Sequence, residues 1–281
     1  MNYKDKIAAL ILSFLLFVSF ELSANQGKIA LLFLTRSDLN HPKLWQQQIE
    51  KSKDLYNVYI HSVKPLSDPY FAGSRISKIV PTSWSIHVKA WQVLIQEAIK
   101  NPENEKFVFL SEACIPLYSL DKIYAILISD PRTHMAFSKP WWPSSNPREI
   151  TELFPQYRFG NAEWMVLNRR HAEIIAQDEA IIRVVARHPN DQESYFASLF
   201  AVHNCLPEVA NHSFTYVNWR DAINGGASPW HFFETSNFNE NLLGQAYSSG
   251  AIFARKFTTT YPEDVLIDMI ENQTLHYGGP Y

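Results

Sequence analysis

A carboxylate in the segment Pro-Asn-Asp-Gln-Glu-Ser-Tyr-Phe, residues 189–196, could do acid–base chemistry. Glu193 falls in the first turn of a predicted helix, where the partial positive charge of the helix N-terminus favours an ionised carboxylate. An ionised carboxylate that is shielded from water can act as a general base. Two other interpretations stay open: Glu193 is only an acidic residue of a first helical turn, or Asp191 and Glu193 together hold a hard cation through oxygen.

Two adjacent cations could bind a diphosphate. Arg255 and Lys256 follow the apolar stretch 251–254, which predicts a strand. Arginine would grip the phosphates by a forked contact and lysine would act as a point charge. In an enzyme without a metal, such cations would stabilise the charge of a leaving group. The same residues also fit a solvated strand end that binds nothing.

Polar residues also follow two apolar runs that predict buried strands of a parallel sheet. Residues 107–110 end at Ser111 and Glu112, and the run that begins at Lys28 ends at Thr35, with Arg36 opening the next loop. Ligands of such sheets sit at the carboxyl ends of the strands, so these residues should lie near the chemistry.

Several functional classes are excluded by what the chain lacks. It contains no Asp-x-Asp, no Gly-x-Gly-x-x-Gly, no P-loop signature and no His-x-x-x-His. A dinucleotide fingerprint, a P-loop and a helical zinc motif are therefore absent. Ser111 has no Gly-x-Ser-x-Gly context, which argues against a hydrolase elbow. The net charge of −3 argues against nucleic-acid binding.

Strands alternate with helices along the chain, which predicts an α/β fold with a mainly parallel central sheet flanked by helices. With 46% apolar residues, the chain can bury one large core, and no linker divides it. Strands are predicted at 28–35, 58–61, 107–110, 135–137, 163–167, 214–217 and 251–254. Helices are predicted at 42–54, 85–100, 120–128, 169–178, 192–202 and from Pro262 onward. The proline-rich segment 139–155 and the glycine-rich segment 224–226 are predicted loops.

The first 24 residues form a separate unit. Lys4 and Lys6 precede an uncharged stretch at 7–20, which is short for a membrane span of about 20 residues. The pattern matches a secretory signal with a cleavage point at Ala24, and a signal peptide, a signal anchor and a buried helix all stay open. Residues 25–281 are predicted to form one domain. The two cysteines, Cys114 and Cys205, either pair in an oxidising compartment or stay as buried thiols.

Seven short segments, taken in order, resemble the core-2/I-branching family of N-acetylglucosaminyltransferases, especially its plant-type branch. The correspondence runs from about Lys28 to Asn272. The segments that carry it are Phe-Leu-Thr-Arg36, Tyr-Ile-His-Ser62, Phe-Val-Phe-Leu-Ser-Glu-Ala-Cys-Ile-Pro-Leu117, Asn-Arg-Arg-His171, Gln-Glu-Ser-Tyr-Phe196, Thr-Tyr-Val-Asn-Trp219 and Phe-Ala-Arg-Lys-Phe257.

The resemblance implies a GT-A-type fold, a nucleotide-sugar donor, no metal-binding Asp-x-Asp and inversion at the anomeric carbon. The family's catalytic base falls on Glu193 and its diphosphate-binding lysine on Lys256. Asp191 lies one place before the family's Asp, and Ser194 replaces its His. A second basic residue, expected some twenty residues before Lys256, is missing because 221–254 contain no Lys or Arg. Arg255 is the candidate substitute, and weaker binding of the diphosphate is the alternative.

The expected protein is thus an inverting, metal-independent glycosyltransferase that uses no cofactor. It would move a sugar, with N-acetylglucosamine as the family's best-known case, from a UDP-sugar to a hydroxyl of a glycan or glycoprotein. Its expected location is the secretory pathway or a membrane: a Golgi-like lumen in a eukaryote, or an exported or membrane-anchored protein in a bacterium. The alternative is a non-catalytic sugar- or nucleotide-binding protein with the same fold. The residues assigned to the donor side are Thr35, Arg36, Ser111 and Glu112, and those assigned to the acceptor side are Glu163, Trp164 and Trp219.

Overall fold

Two apolar strands form the centre of the main sheet. The protein is described by a computed structural model over residues 27–223, 225 and 228–276, with side chains as far as 272. The predicted signal peptide or anchor at 1–24 lies outside the described residues. The first strand, β1 (Lys28–Thr35), pairs in parallel with β2 (Tyr56–Ser62) on one side and with β3 (Asn104–Ser111) on the other.

The register of β1 and β3 brings two predicted strand ends together. Leu34 of β1 pairs with Ser111 of β3, so Arg36 and Glu112 leave the same edge of the sheet. Both strands are apolar on both faces because helices cover both faces. The ring of Phe109 in β3 stacks on Trp91 at 4.2 Å between ring centres and meets Phe196 edge-on at 5.4 Å.

The rest of the main sheet is mixed. Its order is β2-β1-β3-β8-β5-β9, with β8 (Val166–Asn168), β5 (Thr133–His134) and β9 (Val209–Ala210) beyond β3. The strand β8 is antiparallel to β3 and to β5, whereas β5 and β9 are parallel. The predicted α/β architecture, one domain with a mainly parallel central sheet between helices, is confirmed.

A second sheet places the predicted cation pair next to the end of β3. Its central strand, β11 (Phe253–Arg255), runs parallel to β10 (Thr215–Val217) and antiparallel to β4 (Ile115–Pro116). Because β4 follows β3 after a short turn, Arg255 lies close to the carboxyl end of β3. The backbone N–H of Phe257 donates to Ala113 O at 2.9 Å, which fixes this juxtaposition.

Helices and two short strands complete the described chain. A small antiparallel pair consists of β6 (Phe137–Ser138) and β7 (Gly160–Asn161). The helices are α1 (Pro42–Lys51), α2 (Pro69–Ala72), α3 (Val88–Ala98), α4 (Leu120–Ser129), α5 (Arg169–Gln177), α6 (Ala180–Val185), α7 (Gln192–Val202), α8 (Glu240–Ser248) and α9 (Glu263–His276). Among the described residues, none of these helices is both long and apolar enough to cross a membrane.

Two predicted strands differ from the structure, and the helices α2, α6 and α8 are not predicted by the sequence. The strand predicted at 135–137 is wrong because the chain changes sheets there, leaving β5 and β6 as separate strands. The strand predicted at 163–167 begins only at Val166, since Glu163 is held by side chains of the neighbouring helix. The helix α6 was not predicted, although Asp178 accepts hydrogen bonds from the N–H groups of 180–182 that begin it. The predicted loop at 224–226 lies outside the described residues except for Gly225.

Candidate active site

The start of α7 positions Glu193, and Asp191 has a different task. The helix begins at Gln192, as the sequence predicts, and buried side chains surround it, so its first turn cannot shift freely. The Asp191 carboxylate points to the N-terminus of α3 and accepts hydrogen bonds from His87 N at 3.0 Å and Val88 N at 3.1 Å. Asp191 therefore caps a second helix, α3.

Glu193 is a half-buried carboxylate with one engaged oxygen. Arg148 Nη1 donates to its Oε2 at 2.8 Å, and Oε1 accepts no hydrogen bond from the described residues. Burial raises the pKa of Glu193, the Arg148 charge opposes that rise, and nearby Glu163 adds to it. A carboxylate with a raised pKa is a stronger base, and its open oxygen could receive the proton of a bound hydroxyl.

Glu163 forms a compact charged cluster with His87 and Trp91 beside Glu193. Its Oε1 lies 2.7 Å from His87 Nε2 and accepts from Trp91 Nε1 at 2.9 Å. His87 Nδ1 faces Ser83 O at 3.3 Å. Since a carboxylate and a carbonyl can only accept, the imidazolium form of His87, in which both ring nitrogens donate, satisfies both contacts. Glu163 Oε2 accepts nothing from the described residues and stays open to a ligand.

The pKa values of this pair move in opposite directions. Burial lowers the pKa of His87, but the charge and hydrogen bond of Glu163 outweigh it and raise the pKa above 6.5. Burial raises the pKa of Glu163, and the His87 charge and the hydrogen bonds from His87 and Trp91 outweigh it, so the pKa falls below 4.5. Each group therefore favours the charged form of the other.

The pair should make the folded state's stability depend on pH. A raised histidine pKa stabilises the fold below 6.5, and the effect disappears as pH rises through the folded-state value. A lowered carboxylate pKa stabilises the fold above 4.5, and the effect disappears as pH falls through the folded-state value. We expect His87→Gln to lower the free energy of unfolding by about 1–3 kcal/mol near pH 5.5 and by less near pH 9. Urea unfolding at the two pH values measures this, and an equal loss at both would contradict the imidazolium–carboxylate assignment.

The side chain of Arg255 is buried against Trp164, the residue that follows Glu163. Its guanidinium carbon lies 3.9 Å from the centre of the Trp164 ring, and its side chain also helps to lower the pKa of Glu163. Arg255 is 9% exposed, and its Nε finds no hydrogen-bond partner in the described chain. Trp164 is 8% exposed. The ring therefore supports Arg255 and offers little surface of its own to a sugar, whereas Trp219 is 54% exposed.

Lys256 belongs to a second group of charges at the end of β3. Burial lowers its pKa, the charges of Arg255 and Arg36 lower it further, and Glu112 opposes the fall. Its ammonium lies 5.0 Å from the centre of the Trp84 ring. The charges of Arg36, Glu112 and Arg255 therefore all lie close enough to Lys256 to change its pKa. The pairing of β1 with β3, and of β4 with β11, brings these residues together.

The other donor-side residues are buried. The Ser111 hydroxyl lies 3.4 Å from Cys114 Sγ and accepts from Ala113 N at 3.3 Å, so it shapes the turn after β3. Thr35 is 5% exposed, and its hydroxyl has no partner among the described side chains and backbone. Cys114 and Cys205 are both buried free thiols.

One turn connects the two charged groups. Ser83 and Ile86 exchange backbone hydrogen bonds, and Trp84 lies at the tip between them. On one side, Ser85 O accepts from Asn190 N at 2.6 Å at the entry to α7. The turn 83–87 places Trp84 next to Arg36 and Lys256, and it places His87 next to Glu163. The two charged groups are therefore held by the same turn.

Three residues of this site were not predicted from the sequence. Arg148 comes from the irregular segment 139–155, which its length and prolines mark as a functional loop, without indicating which residue acts. No sequence pattern singles out His87, which belongs to no His-x-x-x-His, or Trp84. In the described part of the chain, no group of three or more His, Cys, Asp or Glu side chains could hold a metal ion.

The sequence of the chain matches a known protein family and a known relative. The model of the family described as Core-2/I-Branching enzyme matches residues 29–245. A curated rice protein (Oryza sativa subsp. japonica), named Glycosyltransferase BC10, is 26% identical over 211 residues, which are 66% of this chain and 52% of the relative. The chain therefore spans about half the length of that relative.

Two solved structures show distant likeness. One is a glycosyltransferase involved in the glycosylation of the major capsid of PBCV-1, with 14% identity, 81% of this chain and 94% of that chain covered, and a TM-score of 0.39. The other is the galactosyltransferase LgtC in complex with donor and acceptor sugar analogues, with 8% identity, 86% and 95% coverage and a TM-score of 0.35.

Proposed function

This chain belongs to the core-2/I-branching enzyme family of glycosyltransferases, and from that membership we propose that it transfers a sugar from a UDP-sugar to a hydroxyl of a glycan, with inversion and without a metal. N-acetylglucosamine is the proposed sugar. The observation that best supports the proposal is the continuity of the site: Glu193 adjoins Glu163, Glu163 adjoins Arg255, and Lys256 follows directly. A carboxylate that could act as a base and a pair of cations thus lie in one continuous group of charges.

The proposed reaction is a single displacement. The acceptor hydroxyl lies at Glu193 Oε1 and gives its proton to the carboxylate as its oxygen attacks the anomeric carbon. The bond from that carbon to the diphosphate oxygen breaks on the opposite face, and UDP departs with the bonding electrons. Attack opposite the leaving group inverts the configuration. Lys256 and Arg255 stabilise the charge that develops on the diphosphate.

Arg148 and Glu163 have supporting tasks in this proposal. Arg148 holds Glu193 Oε2, so that Oε1 alone faces the acceptor. Glu163 offers its open Oε2 to another acceptor hydroxyl while His87 and Trp91 fix its orientation. The exposed ring of Trp219 is the proposed apolar platform for an acceptor sugar. Placement in the secretory pathway belongs to the same proposal, since family members work on glycans there.

Calorimetric titration of the purified chain with a panel of UDP-sugars, each with and without Mn²⁺ and after EDTA, tests the proposal. We expect one UDP-sugar to bind with similar affinity in all three conditions, and transfer to an oligosaccharide panel to survive EDTA. Loss of transfer with EDTA and recovery with Mn²⁺ would contradict the metal-independent reaction. Donor binding without turnover on any acceptor or on water would favour the non-catalytic alternative.

A further inference from the structure

Resting on the proposed function, we propose that Arg36 is a second cationic ligand of the donor's diphosphate, acting beside Lys256 with the Trp84 ring supporting both side chains. The sequence indicates Arg255 as the substitute for the missing upstream basic residue. The structure points instead to the loop after β1, more than two hundred residues away from Lys256 in the chain.

The backbone brings this loop to Lys256. Arg36 and Glu112 leave the same edge of the sheet because Leu34 pairs with Ser111. Asn40, in the same loop as Arg36, donates from its backbone N–H to Glu112 O at 2.9 Å and from Nδ2 to Phe257 O at 2.7 Å. The loop is therefore fastened to the end of β3 and to the residue that follows Lys256.

The Trp84 ring lies close to both cations, Arg36 and Lys256. The Arg36 guanidinium carbon lies 5.8 Å and Lys256 Nζ 5.0 Å from the centre of the Trp84 ring, both within the range of cation–π attraction. Trp84 is 61% exposed, so the ring is not a core residue. A large exposed ring that two cations share is suited to holding them in place at the surface of a binding site.

Among the described residues, the three cations of this group lie near two carboxylates, Glu112 beside Lys256 and Glu163 beside Arg255. Arg36, Arg255 and Lys256 form no ion pair with a carboxylate among the described residues, and Glu112 is the acidic group whose charge reaches Lys256. Three cations that repel one another would be relieved by an anion with more than one negative charge, and a diphosphate is such an anion.

Arg36 fits the task better than Arg255. The guanidinium of Arg255 is stacked on Trp164 and is 9% exposed, which restricts the directions in which it can donate. Arg36 is exposed, and among the described residues its side chain contacts the Trp84 ring and forms no ion pair, while its carbonyl accepts from Lys64 N at 3.2 Å. Its forked donors remain available to phosphate oxygens.

Calorimetry with UDP and with uridine separates diphosphate binding from nucleoside binding. We expect Arg36→Gln to raise the Kd of UDP about 10- to 100-fold, the usual effect of removing a hydrogen bond to a charged group, and to leave the Kd of uridine unchanged. Trp84→Phe should keep UDP affinity within a few-fold because the ring remains, and Trp84→Ala should weaken UDP but not uridine. Arg183→Gln, at an exposed arginine of α6, is the matched control and should match the wild type.

The outcomes distinguish this inference from the proposed function. Wild-type affinity of Arg36→Gln for UDP would overturn the role of Arg36 and leave the proposed function intact. An equal loss of UDP and uridine would also overturn it, because the change would then affect the nucleoside or the fold. Failure of the wild-type protein to bind UDP or any UDP-sugar would instead contradict the proposed function.

Discussion

Glu193→Gln should abolish sugar transfer while UDP affinity stays within about twofold of the wild type. The amide keeps the size of the side chain and can still meet Arg148, but it cannot take a proton from the acceptor hydroxyl. Removing a general base lowers the turnover rate by about 10²- to 10⁴-fold. Transfer is measured as UDP release in the presence of acceptor, and UDP affinity by calorimetry.

The control for this change is Glu179→Gln, at a glutamate before α6 whose side chain is 88% exposed. It should have wild-type turnover. If Glu193→Gln turned over at the wild-type rate, another group would have to accept the proton, and the neighbouring Glu163 would become the candidate. A combined loss of turnover and UDP affinity would mean that Glu193 shapes the donor site.

Lys256→Gln should lower turnover about 10²- to 10³-fold, the usual effect of removing a group that stabilises developing charge. The ammonium would neutralise the departing diphosphate, and glutamine cannot. Lys256→Arg keeps the charge and should recover much of the activity. The change is measured by single-turnover kinetics with the enzyme in excess over the donor and the acceptor saturating.

Lys53→Gln, at an exposed lysine after α1, is the matched control and should behave as the wild type. The lowered pKa of Lys256 adds a pH test: burial and the neighbouring arginines bring its deprotonation below 10.5, so transfer should fall on the alkaline side before that value. A rate of Lys256→Gln within threefold of the wild type would show that other groups carry the leaving-group charge.

The sequence predicts the structure best where a periodic or continuous apolar segment ends at polar residues, because both signals then mark the same end of a helix or strand. The bounds of α7 are predicted correctly, and with them the place of Glu193 in a first turn. The runs that form β1 and β3 are apolar throughout because both faces of the sheet are covered, and this pattern also predicts that Arg36 and Glu112 share an edge.

The partners of these residues could not be predicted, because they come from segments without periodicity. Arg148 reaches Glu193 from an irregular loop, and Trp84 reaches Lys256 from a turn. Asp191 shows the limit most clearly. Its spacing from Glu193 suggests a shared cation, yet Asp191 caps α3, a helix that starts about a hundred residues earlier. Spacing along a chain does not reveal which neighbour a side chain faces after folding.

The configuration of the transferred sugar tests the central claim, direct displacement with Glu193 as base, most directly. The wild-type protein is treated with EDTA and incubated with an α-linked UDP-sugar that it binds and with an oligosaccharide that it glycosylates, and the product is examined by proton NMR. A β-linked product is the predicted result, because attack opposite the diphosphate inverts the anomeric carbon. An α-linked product would contradict the single displacement and the role of Glu193 in it.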